Sequence, residues 1–215
     1  KLIISSDGYY YKGREISCTN KLNKITNSLD SVEKVIIANY INKGTSNWSQ
    51  LLDNNQTDIS FEQVDFSHPL YIMYSSGTTG KPKSIVHSVG GTLLQHYKEH
   101  LLHVNLKKND KMFYFTTCGW MMWNWLISSL SIGVSIVLYD GNPFFPNNES
   151  LLKIMDDLDI NIFGTSAKYI ASLENLNVKP HKFKFNSLKS ILSTGSVLSP
   201  DSYDYIYRSW KKRVQ

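Results

Sequence analysis

The sequence predicts an α/β fold, a mostly parallel sheet flanked by helices. From residue 70 onward, short apolar runs alternate with helical stripes in the order strand, helix, strand, helix. Parallel strands need crossover connections, and helices between them supply these while covering the faces of the sheet. The 215 residues are 41% hydrophobic and 13% aromatic, enough to fill such a core. At 19% charged, the chain lacks the charge-rich, apolar-poor balance of a disordered one.

The elements follow in order. Residues 2–5 and 9–12 flank Asp7-Gly8, a dipeptide that signals a hairpin. Ile16, Leu22, Ile25 and Leu29 give an imperfect helical stripe, and residues 35–38 form a short apolar strand. Residues 42–69 are polar and read as a long loop with one helical turn. They separate a lead-in segment with hairpin, helix and strand (1–66) from a second region (67–215). In that region 70–74, 111–115, 134–139, 161–164 and 190–192 read as strands. Residues 89–102, 121–130, 151–158, 167–173 and 201–210 read as helices. Ligands in such sheets bind beyond the carboxyl ends of the strands.

The composition excludes several classes. Two cysteines, Cys18 and Cys118, without a CxxC or Cys/His cluster, exclude a disulfide scaffold and argue against structural zinc. A net charge of +5, spread along the chain, suits anionic ligands and gives no nucleic-acid footprint. No apolar run reaches the roughly 18 residues of a membrane span. The longest candidate, 121–139, is interrupted by Asn124 and Gly133. With no signal peptide visible, a cytoplasmic protein is expected.

The densest chemistry follows the strand 70–74, which reads as buried. Ser75-Ser76-Gly77-Thr78-Thr79-Gly80-Lys81-Pro82-Lys83-Ser84 combines two turn-permitting glycines, hydroxyl donors and two lysines, the makings of a polyphosphate cradle. Each of these residues is also common in ordinary solvated loops. A Walker P-loop is excluded, because its pattern requires Gly at position 75 and Ser or Thr at 82, where Ser75 and Pro82 stand. Proline also biases Lys81 away from the helix that a Walker lysine opens.

The run from Tyr74 to Lys83 resembles throughout the phosphate loop of the adenylate-forming superfamily, aromatic-[ST]-S-G-[ST]-T-G-x-P-K. That superfamily includes acyl-CoA synthetases, luciferases and peptide-synthetase adenylation domains. The resemblance implies that Ser75, Ser76, Gly77, Thr78, Thr79, Gly80 and Lys83 hold the ATP phosphates, with Lys83 the catalytic loop lysine. Trp120-Met121-Met122-Trp123-Asn124-Trp125 has the composition of a buried helix or of a pocket wall. Together with Ile85 to Gly91 and Val137 to Gly141, it resembles the acetoacetyl-CoA synthetase branch. By that resemblance Trp120, Met121, Met122 and Thr194 face the acyl group, while Gly195, Ser196 and Val197 lie against adenine. The resemblance implies an acid–thiol ligase that takes ATP with Mg²⁺, a short-chain keto acid (acetoacetate) and CoA. No side chain is assigned to the metal. The family's Gly-x-Thr-Glu motif, ribose aspartate and C-terminal lysine do not occur, so the expectation is an incomplete part of the large N-terminal domain, inactive alone.

Two other readings compete. His96-Tyr97-Lys98-Glu99-His100 fits H-x-x-E-H, the pattern of a zinc metallopeptidase, with Glu174 as a third ligand. A nucleotide-binding module without catalysis would carry the same phosphate loop.

Overall fold

The computed structural model describes residues 1–41, 48–51, 58–75 and 80–215. They divide into two compact units, Lys1–Phe61 with Asp140–Asn147, and Glu62–Tyr139 with Asn148–Gln215.

In the first unit β1 (Leu2–Ser6) pairs in parallel with β4 (Lys34–Ala38), and α1 (Thr19–Thr26) lies in the connection. The hairpin expected at Asp7-Gly8 forms instead between β2 (Gly8–Tyr11) and β3 (Arg14–Ser17). Its turn is Lys12-Gly13, with φ of 51° and 73°. Two successive positive φ values match the right-handed twist of a two-residue hairpin. Asp7 serves a different purpose. It is buried, and its Oδ1 accepts from the backbone N–H of Tyr40 at 2.8 Å and of Ile41 at 3.1 Å, tying the end of β1 to the residues after β4. Of the expected loop 42–69, residues 42–47 and 52–57 lie outside the described residues, and Trp48–Leu51 forms one 3₁₀ turn.

The second unit carries the parallel sheet. β7 (Lys111–Tyr114), β8 (Ser135–Val137), β9 (Ile162–Ser166) and β10 (Ser190–Thr194) run in the order β10-β9-β7-β8. Phe113 pairs in register with Phe163 and Tyr114 with Gly164. β9 is buried along four of its five residues, as expected of a central strand covered on both faces. On one face α3 (Met122–Ser128) packs Trp125 and Leu126 onto Met112, Tyr114 and Ile162. On the other, the Phe163 ring sits 5.5 Å from Phe113, 6.3 Å from Tyr169 and 6.1 Å from Trp210. Tyr169 belongs to α5 (Ala167–Asn175), and Trp210 follows α6 (Pro200–Ser209). α4 (Ser150–Asp157) buries Leu151, Leu152 and Met155. Truncating a ring such as Phe163 to alanine would cost about 3–5 kcal/mol. Helices on both faces of a parallel sheet give the α/β class that the alternating pattern predicts.

The phosphate-loop strand departs from expectation. β5 (Pro69–Ser75) pairs antiparallel with β6 (Lys83–Ser88), a strand the sequence reading left as loop. It is not a buried strand: Leu70, Ile72 and Tyr74 are exposed, as are Ile85 and Val86 opposite. A two-stranded ribbon has two faces and two edges to cover, and among the described residues no further strand pairs with it.

α2 (Val89–Lys98) starts at Ser88, whose Oγ accepts from Gly91 N at 3.2 Å. Gly90 is required by packing, because a Cβ there would come within 2.1 Å of the Phe66 ring. In place of one α-helix to residue 102, the last turn Glu99–His103 is π-helical, closed by Val104 N donating to Glu99 O at 2.9 Å. The wider turn presents Glu99 and His100 together to Trp125. Among the described residues no helix is long and apolar enough to cross a membrane.

Candidate active site

The segment expected to bind phosphate is flanked by β5 and β6, where Ser75 and Lys83 stand opposite each other in register. Ser76, Gly77, Thr78 and Thr79 lie outside the described residues. Gly80 is exposed, and among the described residues nothing lies within 4 Å of a Cβ built on it. Lys83 is exposed in the first position of its strand. A lysine at the mouth of a Ser/Thr/Gly loop supplies a mobile cation beside backbone donors, the combination a polyphosphate requires.

Two loops beyond carboxyl ends of the parallel sheet come together. After β7 the chain turns through Thr117 to Trp120, with Trp120 N donating to Thr117 O at 3.1 Å. After β10, Thr194 leads into Gly195, whose φ of +88° is left-handed and favours glycine. A Cβ on Gly195 would sit 3.7 Å from Trp120 Cζ2. Trp120, expected at the acyl group, and the turn expected at adenine are therefore near neighbours. Beyond them Val197 is 94% exposed, beside a cavity of about 420 Å³ that Ser196 also lines.

The aromatic run, core or pocket wall by composition, is both. Trp125 is buried in the core cluster, whereas Met121 is 44% exposed and Trp120 is half-buried. A cavity of about 460 Å³ brings Met121, Met122 and Thr194 together with Tyr114, Trp125 and Glu99. A larger one, about 710 Å³, runs from Trp120 and Met121 past Cys118 and His96 to Ser75 at the loop's base. The four residues assigned to the acyl group thus line two adjoining cavities, and Met121 belongs to both.

Two contributors went unread in the sequence, and a third was read there only as part of H-x-x-E-H. The Tyr114 ring meets Trp120 edge-on at 6.1 Å, and burial pushes its hydroxyl well above its usual pKa. Gly164 makes room for it, since a Cβ there would lie 2.0 Å from Tyr114 Cδ2. A glycine inside a strand is the available signal for such a close approach. Glu99 is the third, and its Oε2 accepts from Trp125 Nε1 at 2.8 Å.

This geometry disposes of the zinc reading. His100 is fully buried and its Nε2 donates to Trp125 O at 3.0 Å, also lying 3.0 Å from Ser128 Oγ. His96 Nδ1 pairs with the same Ser128 Oγ at 2.9 Å. Glu174 accepts from Ser202 Oγ at 3.0 Å. Among the described residues no three His, Cys, Asp or Glu side chains group as a metal site would require. Burial lowers the pKa of both histidines, that of His100 to about 4, despite the opposing effects of Glu99 and the Trp125 carbonyl. They are neutral polar groups of the helix interface.

The acetoacetyl-CoA synthetase of Danio rerio is 44% identical over 230 residues, covering 100% of this chain and 34% of that protein. Acetoacetyl-coenzyme A synthetase of Rhizobium meliloti is 41% identical over 224 residues, with the same coverage. The solved structure of acetoacetyl-CoA synthetase from Streptomyces lividans superposes with a TM-score of 0.89 at 35% identity, over 97% of this chain and 33% of that one. The chain spans about a third of the length of the curated relatives it matches. The family described as AMP-binding enzyme matches residues 2–214, and the chain belongs to it.

Proposed function

We propose that this chain is part of an ATP-dependent acid–thiol ligase that activates acetoacetate as acyl-AMP and transfers the acyl group to CoA. The observation that carries the reading is the meeting of Thr194 with Met121 and Met122 around one cavity, one residue before the Gly195 turn that faces Trp120. An acid held there would lie beside a nucleotide at that turn. The relatives, acetoacetyl-CoA synthetases at 41–44% identity, favour acetoacetate as the acid.

In the first half-reaction a carboxylate oxygen bonds to the α-phosphorus of ATP and pyrophosphate leaves. In the second, the CoA sulfur bonds to the acyl carbon and AMP leaves. Both approaches set anion against anion, so the roles of this chain's residues are electrostatic and positional. Ser75 to Gly80 and Lys83 hold the β- and γ-phosphates. Gly195, Ser196 and Val197 border adenine. Trp120, Met121, Met122 and Thr194 wall in the acyl group, and the half-buried aromatics keep water from the mixed anhydride. Mg²⁺ enters with the nucleotide, neutralising phosphate charge, and no side chain of this chain is assigned to it. The steps need residues beyond this stretch, so the stretch alone is expected to make no acyl-CoA.

The test is product formation by the full-length protein. Acetoacetate, Mg·ATP and CoA should yield the CoA thioester and AMP, detected by mass spectrometry. Thioester formed without ATP, or none formed, would refute the reading.

A further inference from the structure

The H-x-x-E-H segment is neither a metal site nor part of the phosphate or adenine machinery, yet it reaches the acyl cavity. Glu99 and Trp125 line the cavity of about 460 Å³ beside Met121, Met122 and Thr194. The indole Nε1 donates to Glu99 Oε2 at 2.8 Å, while Glu99 Oε1 accepts from Gln95 Nε2 at 2.6 Å. Both carboxylate oxygens are therefore engaged, and the acceptor is fixed from its own helix. The imidazole of His100 lies against the indole with centroids 4.2 Å apart, and Tyr114 meets it edge-on at 5.9 Å. The ring is clamped on its faces by packing. Its rotation within its own plane is set by the hydrogen bond, because a buried indole N–H without an acceptor is costly. A carboxylate acceptor makes that bond stronger than a neutral one.

We infer that Glu99 is a positioning residue for acid selection: by holding Trp125 Nε1 it fixes the indole wall of the acyl cavity, and so limits the length of acid admitted. The inference rests on the acyl-ligase reading above. It gives the glutamate of the five-residue motif a role in specificity without contact with the reacting atoms.

The experiment compares kcat/KM for ATP-dependent adenylation of acetoacetate and hexanoate by the full-length protein. Glu99→Ala should raise the hexanoate-to-acetoacetate ratio about tenfold, the scale at which apolar pockets discriminate by size. The change should fall mainly on KM. Glu99→Gln retains an acceptor and should keep the ratio within about threefold of wild type. Trp125→Phe removes the donor and also shortens the ring, so it should raise the ratio by itself, and adding Glu99→Ala should change it little further, because the bond that Glu99 makes is already lost. A purely structural role would lower activity on both acids in parallel. An unmoved ratio in Glu99→Ala or, should that variant not fold, in Trp125→Phe overturns the inference alone. A wild-type protein that adenylates no acid overturns the acyl-ligase reading and this inference with it.

Discussion

Gly195 and Trp120, 75 positions apart in sequence, meet where the turn after β10 passes the loop after β7: a Cβ on Gly195 would lie 3.7 Å from Trp120 Cζ2. That distance is ordinary van der Waals contact, so an alanine fits in space. Its cost comes from the backbone, where φ is +88°. Gly195→Ala should therefore destabilise by about 1–2 kcal/mol. If the turn borders adenine, as proposed, the same change should also raise KM for ATP in the full-length protein. Urea unfolding and initial-rate kinetics check the two effects separately.

Gly164 tests the support beneath the acyl wall. A Cβ there would stand 2.0 Å from Tyr114 Cδ2, inside a strand buried on both faces. The strand backbone is fixed by its neighbours on both sides, and the ring is held edge-on between Trp120 and Trp125, so relief requires the ring to shift towards the adjoining cavity. Gly164→Ala should cost about 3 kcal/mol, at the upper end of overpacking effects. Adding Tyr114→Ala should recover part of the loss on the overpacking side, giving strong non-additivity in denaturant melts of the double mutant.

His100 predicts a pH dependence of stability. Burial lowers its pKa from the ordinary 6.5 to about 4, and its buried Nδ1 has no partner among the described residues to accept a second proton's hydrogen bond. Below pH 6.5 the unfolded chain binds a proton that the folded chain refuses. Stability should therefore fall as pH drops from 6.5 towards 4, and level off below that for this group. The full shift corresponds to about 3 kcal/mol. His96, lowered by burial as well, adds in the same direction. His100→Gln should flatten the fall in the urea midpoint between pH 6.5 and 4, leaving the smaller slope of His96.

Lys83 separates chemistry from folding. It is exposed at the start of β6, so Lys83→Ala should leave the urea midpoint within about 0.5 kcal/mol of wild type. If it meets phosphate during adenylation, the same change should slow the reaction by about 10²–10³. Single-turnover acyl-AMP formation measures the loss.

Much of this architecture was legible because periodicity reports burial. The runs that became β7, β9 and β10 carry apolar residues on both faces, and the helical stripe at 201–210 became α6, which the structure caps with Ser199. The hairpin was misplaced because Asp-Gly is a local turn signal, while the Asp7 carboxylate is used by the distant N–H groups of Tyr40 and Ile41. β6 was missed because Ile85-Val86 follows a glycine- and lysine-rich loop and is not buried. At the site, the phosphate loop stood out as one contiguous motif. The cavity expected to hold the acyl group was legible only in Met121, Met122 and Thr194, whereas Glu99, Tyr114 and Trp125 join its lining from elements that only the fold brings together. The H-x-x-E-H spacing was real helical geometry, but its polar atoms face an indole, a serine and a carbonyl.

Acid-dependent exchange of labelled pyrophosphate into ATP by the full-length protein tests the central claim most directly. Exchange with acetoacetate should lie well above that with acetate or butyrate, and the preference should shift when Met122, which lines the cavity with Thr194, is replaced by alanine. Exchange that ignores the acid supplied, or an acid profile unchanged in Met122→Ala, would contradict it.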